Sequence, residues 1–282
     1  MKANSLIVTA TLLLASATTL FALNNSGPPL PTIETVLQRV ADQAVKEDEN
    51  TRAFRERYAY TRTRVTEYRN AKGEVRKREE KKGENDPLQK ARAARLQPVV
   101  AKTPRAQGVN TNQPVSETHS NVRGKAFKKS DFVLNDDLIG RFEFAVTGRE
   151  VLNGRPALIV DFQPARKKVP ERNLKDRFIN KAAGRVWVDE ADYALVKADL
   201  HLTEQVNVLG GLVGAVREFT FAFLRERTPD GFWFIRNSNW HLEGREVFVH
   251  RTVDYYEERT GVRRAIGDQP ATQSIDVDDA DE

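Results

Sequence analysis

From Phe142 to Tyr256, apolar and polar residues alternate, and turn residues interrupt the alternation at short intervals. A period of two marks β-strands with one buried and one wetted face. Phe142, Phe144, Val146 and Leu152 fall on one face. Asn153-Gly154 is a two-residue hairpin turn, and Leu158, Val160 and Phe162 carry the apolar face onto the returning strand. The segment from Gly184 to Asp192 predicts a strand followed by a tight turn. Val196, Ala198, Leu200, Leu202, Val206 and Val208 then occupy even positions, which predicts one long half-buried strand. Phe219, Phe221 and Phe223 form an alternating aromatic stripe, and Thr228-Pro-Asp-Gly231 makes a turn. The strand Phe232 to Trp240 puts Trp233 and Ile235 on one face and Phe232, Phe234 and Trp240 on the other. Gly244 marks the next turn, after which Val247, Val249, Val253 and Tyr255 alternate. The connector from Gln163 to Ala183 is basic and polar, contains Pro164 and Pro170, and reads as a solvated loop.

Upstream the period changes. Ile33, Val36, Leu37, Val40, Ala44 and Val45 have helical spacing, with Thr32 as cap, and predict a helix ending near Asn50. Phe54, Tyr58, Tyr60 and Tyr68 share one parity and predict a strand with an aromatic face. Asn70 to Gly73 is a turn, and the charged stretch Glu74 to Lys82 returns as an edge strand. Glu84 to Lys129 breaks the strand pattern as a polar, disordered insertion in which Leu88 to Leu96 forms a short helix. Ser130 caps a second short helix, Asp131 to Ile139, whose apolar residues plug the sheet. Residues 1–23 have a positive start, an apolar run from Leu6 to Leu23 and small residues at Ala15, Ala17 and Ala22, the pattern of a cleaved export signal. Residues 24–31 are a linker, and residues 260–282 read as a disordered acidic tail.

Composition narrows the function classes. The chain has 282 residues, 39% hydrophobic and 30% charged, with a net charge of +5. Asp268 to Glu282 carries only acids among its charged residues, so the rest is more basic than the total and favours anionic surfaces. The absence of cysteine excludes disulfides, thiol catalysis and a lipidated N-terminal cysteine. Four histidines, His119, His201, His241 and His250, are too few and too scattered to suggest a metal site, and no cofactor is expected. Basic residues interleave with aromatics between Arg52 and Lys82, but an exported chain with interspersed Glu is not expected to bind nucleic acid. The glycine-rich stretch Val208 to Gly214 offers Leu209, Leu212 and Val213 to a membrane or a cavity mouth; a buried turn fits it equally. It lacks the Lys and Ser/Thr of a phosphate-binding loop. No motif joins a Ser or Asp to a His, Asp161 and Asp189 read as turn or capping residues, and no catalytic residue is expected.

The order of elements resembles the LolA/LolB-like family of periplasmic lipoprotein carriers over residues 32–259. The residues that carry the likeness are Leu138-Ile139-Gly-Arg-Phe-Glu-Phe144, Glu150-Val-Leu-Asn-Gly-Arg-Pro-Ala157 with Asp161-Phe-Gln-Pro164, Ala183-Gly-Arg-Val-Trp-Val-Asp189, and Pro229-Asp-Gly-Phe-Trp233. The insertion at 84–129 and the acidic tail depart from that pattern. The resemblance implies a mainly β fold with a few helices: an antiparallel, strongly curved open half-barrel whose concave apolar face is covered by helices and binds acyl chains. The expectation is then a periplasmic carrier or binder of a lipid or acylated protein. Its cavity candidates are Phe142, Phe144, Phe162, Phe219, Phe221 and Phe223. An anionic membrane surface or envelope proteins are further partners. The alternative is an envelope interaction module with a filled core, which would show the same alternation.

Overall fold

The alternation along the chain becomes an alternation of rows across a sheet. The computed structural model describes residues 28–96, 136–167, 169–208, 214–246 and 249–265. The chain divides into a short unit, Met1–Leu30, and a larger one, Pro31–Glu282, whose fold is described here. Among the described residues it has ten strands: β1 (Tyr58–Arg69), β2 (Val75–Asn85), β3 (Phe142–Leu152), β4 (Arg155–Pro164), β5 (Ala182–Asp189), β6 (Leu195–Leu202), β7 (Val206–Val208), β8 (Gly214–Arg227), β9 (Trp233–Glu246) and β10 (Val249–Arg264). They form one open sheet in the order β2-β1-β10-β9-β8-β6-β5-β4-β3, with β7 paired to β8. Every neighbouring pair is antiparallel.

Two adjacent rows show how the faces separate. One runs Phe144, Phe162, Gly184, Leu200, Phe221, Trp240, Tyr255 and Thr66 from β3 to β1. The row beside it runs His201, Thr220, His241, Asp254, Glu67 and Arg78 from β6 to β2. Neighbouring residues on a strand point to opposite sides, so the first row belongs to an apolar face and the second to a polar one. A slip of one residue in any pair would exchange the two.

The described helices are α1 (Ile33–Val45), α2 (Glu47–Arg57), α3 (Pro87–Leu96), α4 (Asp136–Ile139) and α5 (Leu174–Ile179), of which α1 and α2 pack on the apolar face. Thr32 caps α1 by accepting from the Thr35 N–H at 3.4 Å. Of the apolar positions of α1, Val36 and Val40 are buried, one turn apart, against Leu158, Val160 and Val188. Val45 at the far end is exposed. The expected helix end near Asn50 is not observed, because the chain enters α2 after Lys46 and stays helical to Arg57. Phe54 is therefore a helical residue and not part of β1; its ring stacks on Phe234 at 4.8 Å.

Other boundaries differ for local reasons. The long strand expected from Val196 to Val208 is interrupted at residues 203–205, giving β6 and β7. Gly244 lies inside β9 and not at a turn; a Cβ there would meet the Ala215 carbonyl oxygen at 2.8 Å, so glycine serves close strand approach. A bulge between Leu224 and Arg225 changes the pairing parity of β9, and Trp233 and Ile235 join the face of Trp240. The polar connector holds α5, with Asn173 capping through the Asp176 N–H at 2.9 Å. β10 continues to Arg264, five residues into the stretch read as tail. The turn Asn153-Gly154 has φ of 51° and 75°, as a type I′ hairpin requires. The export signal, residues 97–129 of the insertion, the Ser130 cap and residues 131–135 of the second short helix, and the tail after residue 265 lie outside the described residues. No described helix is long and apolar enough to cross a membrane.

Asp189 closes the turn after β5. Its side chain accepts from the N–H groups of Ala191 and Asp192 at 3.0 and 2.7 Å and from Arg155 Nε at 2.6 Å. Burial pushes this carboxyl up, but Arg155 and the two N–H donors outweigh it and hold the group below the ordinary value. The turn role expected of Asp189 is thus observed, whereas Asp161 forms an ion pair with Arg185 at 2.5 Å.

Leu158→Ala is expected to lower unfolding stability by about 2–5 kcal/mol, while the exposed Val151→Ala stays within about 0.5 kcal/mol, both read by urea unfolding. Asp189→Asn destabilises at neutral pH. Because the folded carboxyl titrates below its unfolded value of about 3.9, the advantage of the native residue is full above that pH and disappears as pH falls through the lower folded value. Unfolding midpoints of the two proteins measured from neutral to acid pH check the convergence.

Candidate functional site

The six phenylalanines singled out from the sequence share the apolar face. Phe142, Phe144 and Phe162 form a ring cluster with centroid separations of 5.8, 5.2 and 6.1 Å. Phe221 and Phe223 meet at 5.9 Å, and Phe219 lies one pair further along β8, opposite Leu242. Two groups result, at the β3–β4 edge and in the middle of the sheet. Gly184 stands between them in the row and supplies no side chain. A Cβ at Gly184 would fall 2.1 Å from the Asp199 carbonyl oxygen, so the close approach of β6 requires glycine there.

Burial is uneven along this face. Under α1, Leu158, Val160 and Val188 are at most 1% exposed. All six phenylalanines, together with Leu200, Leu202, Leu242 and Val253, are only half-buried among the described residues. One part of the face is thus a filled core and another part is a partly covered apolar surface. Trp240 and Tyr255 end the aromatic row, stacked at 5.4 Å. The Tyr255 hydroxyl donates to Glu257 Oε2 at 2.8 Å, and burial first, then Glu257, pushes its pKa well above the ordinary range. Beyond Tyr255 the same face turns basic: Arg64 pairs with Glu257 and Arg62 with Arg259 in the register of β1 and β10.

The cover is fastened by residues that the sequence pattern did not reveal. Arg225 on β8 is buried and donates through Nη2 to both carboxylate oxygens of Glu47 on α2, at 2.8 and 2.9 Å. It also reaches the Leu195 carbonyl at 3.2 Å. Asn50 accepts from the Trp233 N–H at 2.9 Å and donates to the Trp233 carbonyl at 2.7 Å, so its amide replaces a strand partner at the start of β9. Glu47, Asn50 and Phe54 are spaced three and four apart and form one helix face. That spacing was the available signal, hidden by the seven charged residues in the eleven of α2. A second buried cation, Arg141, binds Asn180 Oδ1 at 2.8 Å and pairs with Asp137 and Asp176, tying α4 and α5 to the β3 end.

A shallow groove of about 240 Å³ is lined by Asp199, Leu200, His201, Thr220, Phe221, Ala222 and Asn239. Most of these residues belong by register to the polar face. Leu209, Leu212 and Val213 lie outside the described residues.

The fold and this face together define an open antiparallel sheet with one aromatic, helix-covered side. No protein-family model and no curated protein matches the chain. Among solved structures it is similar to a domain described as an outer membrane lipoprotein-sorting protein from Vibrio parahaemolyticus, at 12% identity and a TM-score of 0.33 over 84% of this chain and 95% of that one. It is also similar to a DUF1329 family protein from Desulfovibrio piger, at 13% identity and 0.30 over 82% and 94%. A third similar structure is a LolA superfamily protein from Nitrosomonas europaea, at 9% identity and 0.28 over 81% and 94%.

Glu47→Ala leaves the buried Arg225 guanidinium without its anion. The expected cost is toward the low end of about 3–5 kcal/mol, because Glu47 is partly solvated. The double variant Glu47→Ala/Arg225→Met is expected to be more stable than Glu47→Ala alone, measured by chemical denaturation.

Proposed function

We propose that the protein is an exported, non-catalytic carrier or binder of an apolar ligand, a lipid or the acyl chain of an acylated protein, held along the aromatic face. One observation carries the reading: a register-locked row, Phe144, Phe162, Gly184, Leu200, Phe221, Trp240 and Tyr255, most of it half-buried beside a fully filled core. Each methylene moved from water onto such a surface contributes about 0.8 kcal/mol, so a long chain binds without a specific polar contact. A ligand with an anionic end would direct it toward Arg62 and Arg64, which sit on the same face beyond Tyr255. The six phenylalanines are its lining in this reading. The solved structure described as a lipoprotein-sorting domain fits the same class of cargo. The periplasm is the compartment that agrees with the export signal read in residues 1–23.

The filled packing of Val36 and Val40 under α1 favours a second reading, an envelope interaction module with a solid core. Purification of the mature protein without detergent, organic extraction and mass spectrometry separates the two. Stoichiometric acyl lipid is expected. Phe221→Glu, which places a charge in the middle of the row, is expected to weaken binding of a fluorescent fatty-acyl probe at least about tenfold. An empty protein that also fails to take up the probe would replace the carrier with the module.

A further inference from the structure

The polar face holds a cluster that the carrier reading does not use. His241 on β9 lies opposite Thr220 of β8 and Asp254 of β10. Its Nδ1 is 2.6 Å from Asp254 Oδ1. Asp254 also accepts from Arg69 Nε at 2.7 Å, and Arg69 donates to Glu67, which takes Arg78 Nη1 at 2.7 Å. Asp254 thus faces Nδ1, and Nε2 is the ring nitrogen turned away from it.

The same register supplies the remaining donors. Two residues along from Thr220 and His241, Glu218 of β8 lies directly opposite Glu243 of β9. Two carboxylates facing each other on adjacent strands repel. Arg217 approaches Glu243 only at 3.4 Å. One ligand atom each from Glu218, His241 and Glu243 lies within 4.8 Å of the other two. The shallow groove of about 240 Å³ adjoins them, since Thr220 and Asn239 line it and flank His241. Sequence spacing shows no metal set, because the donors come from two strands of a hairpin and meet only through their pairing register.

We propose that Glu218, His241 and Glu243 bind a divalent transition-metal ion, zinc being the first candidate, with Asp254 orienting the imidazole from a third strand. One imidazole and two carboxylates form a three-donor zinc set that leaves a position for water or a small anion. The two carboxylates neutralise the ion, which removes the repulsion between them. Donor atoms around tetrahedral zinc lie about 3.3 Å apart, a contraction that rotation of the exposed Glu218 side chain supplies. The His241–Asp254 pair is the outer carboxylate–histidine arrangement that metal sites use to fix ring orientation. This site is on the other face from the aromatic row and stands independently of the lipid reading.

The test uses full-length, tag-free mature protein stripped with a chelator and titrated with zinc chloride by calorimetry. Cobalt(II) absorption reports coordination geometry in parallel. A single ion per chain is expected, lost in His241→Ala, weakened in Glu218→Gln, and weakened about 10–100-fold in Asp254→Ala. His201→Ala, which alters the histidine that lines the groove, is expected to leave binding unchanged. Circular dichroism and melting of the metal-free variants establish that each is folded. Should His241→Ala fail to fold, the exposed Glu218→Gln decides. Absence of zinc binding by the native protein, or binding that the variants leave intact, overturns the proposal.

Discussion

Cross-strand register is the constraint on which the rest of this molecule depends. A strand has two faces because its side chains alternate, and a sheet has two faces only if each strand agrees with its neighbour. Here agreement holds from β3 to β1, through Phe144, Phe162, Leu200, Phe221, Trp240 and Tyr255 on one side. The adjacent row of His201, His241, Asp254 and Glu67 is polar for the same reason. The aromatic surface and the histidine–carboxylate cluster are two outcomes of one register. Where that register shifts, at Arg236, residues are re-aimed, and Trp233 joins the aromatic side.

Cover on the apolar face is unequal, and the inequality has identifiable causes. α1 fills its part by aliphatic packing, with Val36 and Val40 against Leu158, Val160 and Val188. α2 is fastened differently, by the Glu47–Arg225 pair, the Asn50 amide on the Trp233 backbone and the Phe54 ring on Phe234. A buried guanidinium is tolerated because its carboxylate and carbonyl partners are met together. Between these fastenings lies the half-buried aromatic surface from which the carrier function is argued.

The strands were legible because half-buried strands write their faces into the order of residues. Parity within each strand groups Phe142 with Phe144 and Phe219 with Phe221 and Phe223, while the placing of these groups and Phe162 on one common face comes from the pairing register. Parity fails across a bulge, which is why Trp233 and Trp240 were placed on opposite faces. Gly244 was misread for a related reason: a glycine that lets two strands approach looks in sequence like one that turns the chain. α2 was missed because its packing face consists of Glu47, Asn50 and Phe54, of which only one is apolar. The histidine–carboxylate cluster was invisible because its donors, at positions 218, 241 and 243, meet only across a hairpin.

The place of β10 in the sheet has a consequence for the timing of folding. The hairpin β1–β2 comes first in the chain, yet it joins the remaining strands only through β10, which pairs Tyr58 with Arg264 and Arg69 with Thr252. Strands β3 to β9 can assemble outward from local hairpins, but β1 must wait for the strand farthest from it in chain order. Closing a loop of that length before any pairing rewards it makes this the slow step of assembly. Until then β10 and β1 each present an unpaired edge, so the interval before the last strand docks is when the chain is most open to capture by a chaperone or by another copy of itself.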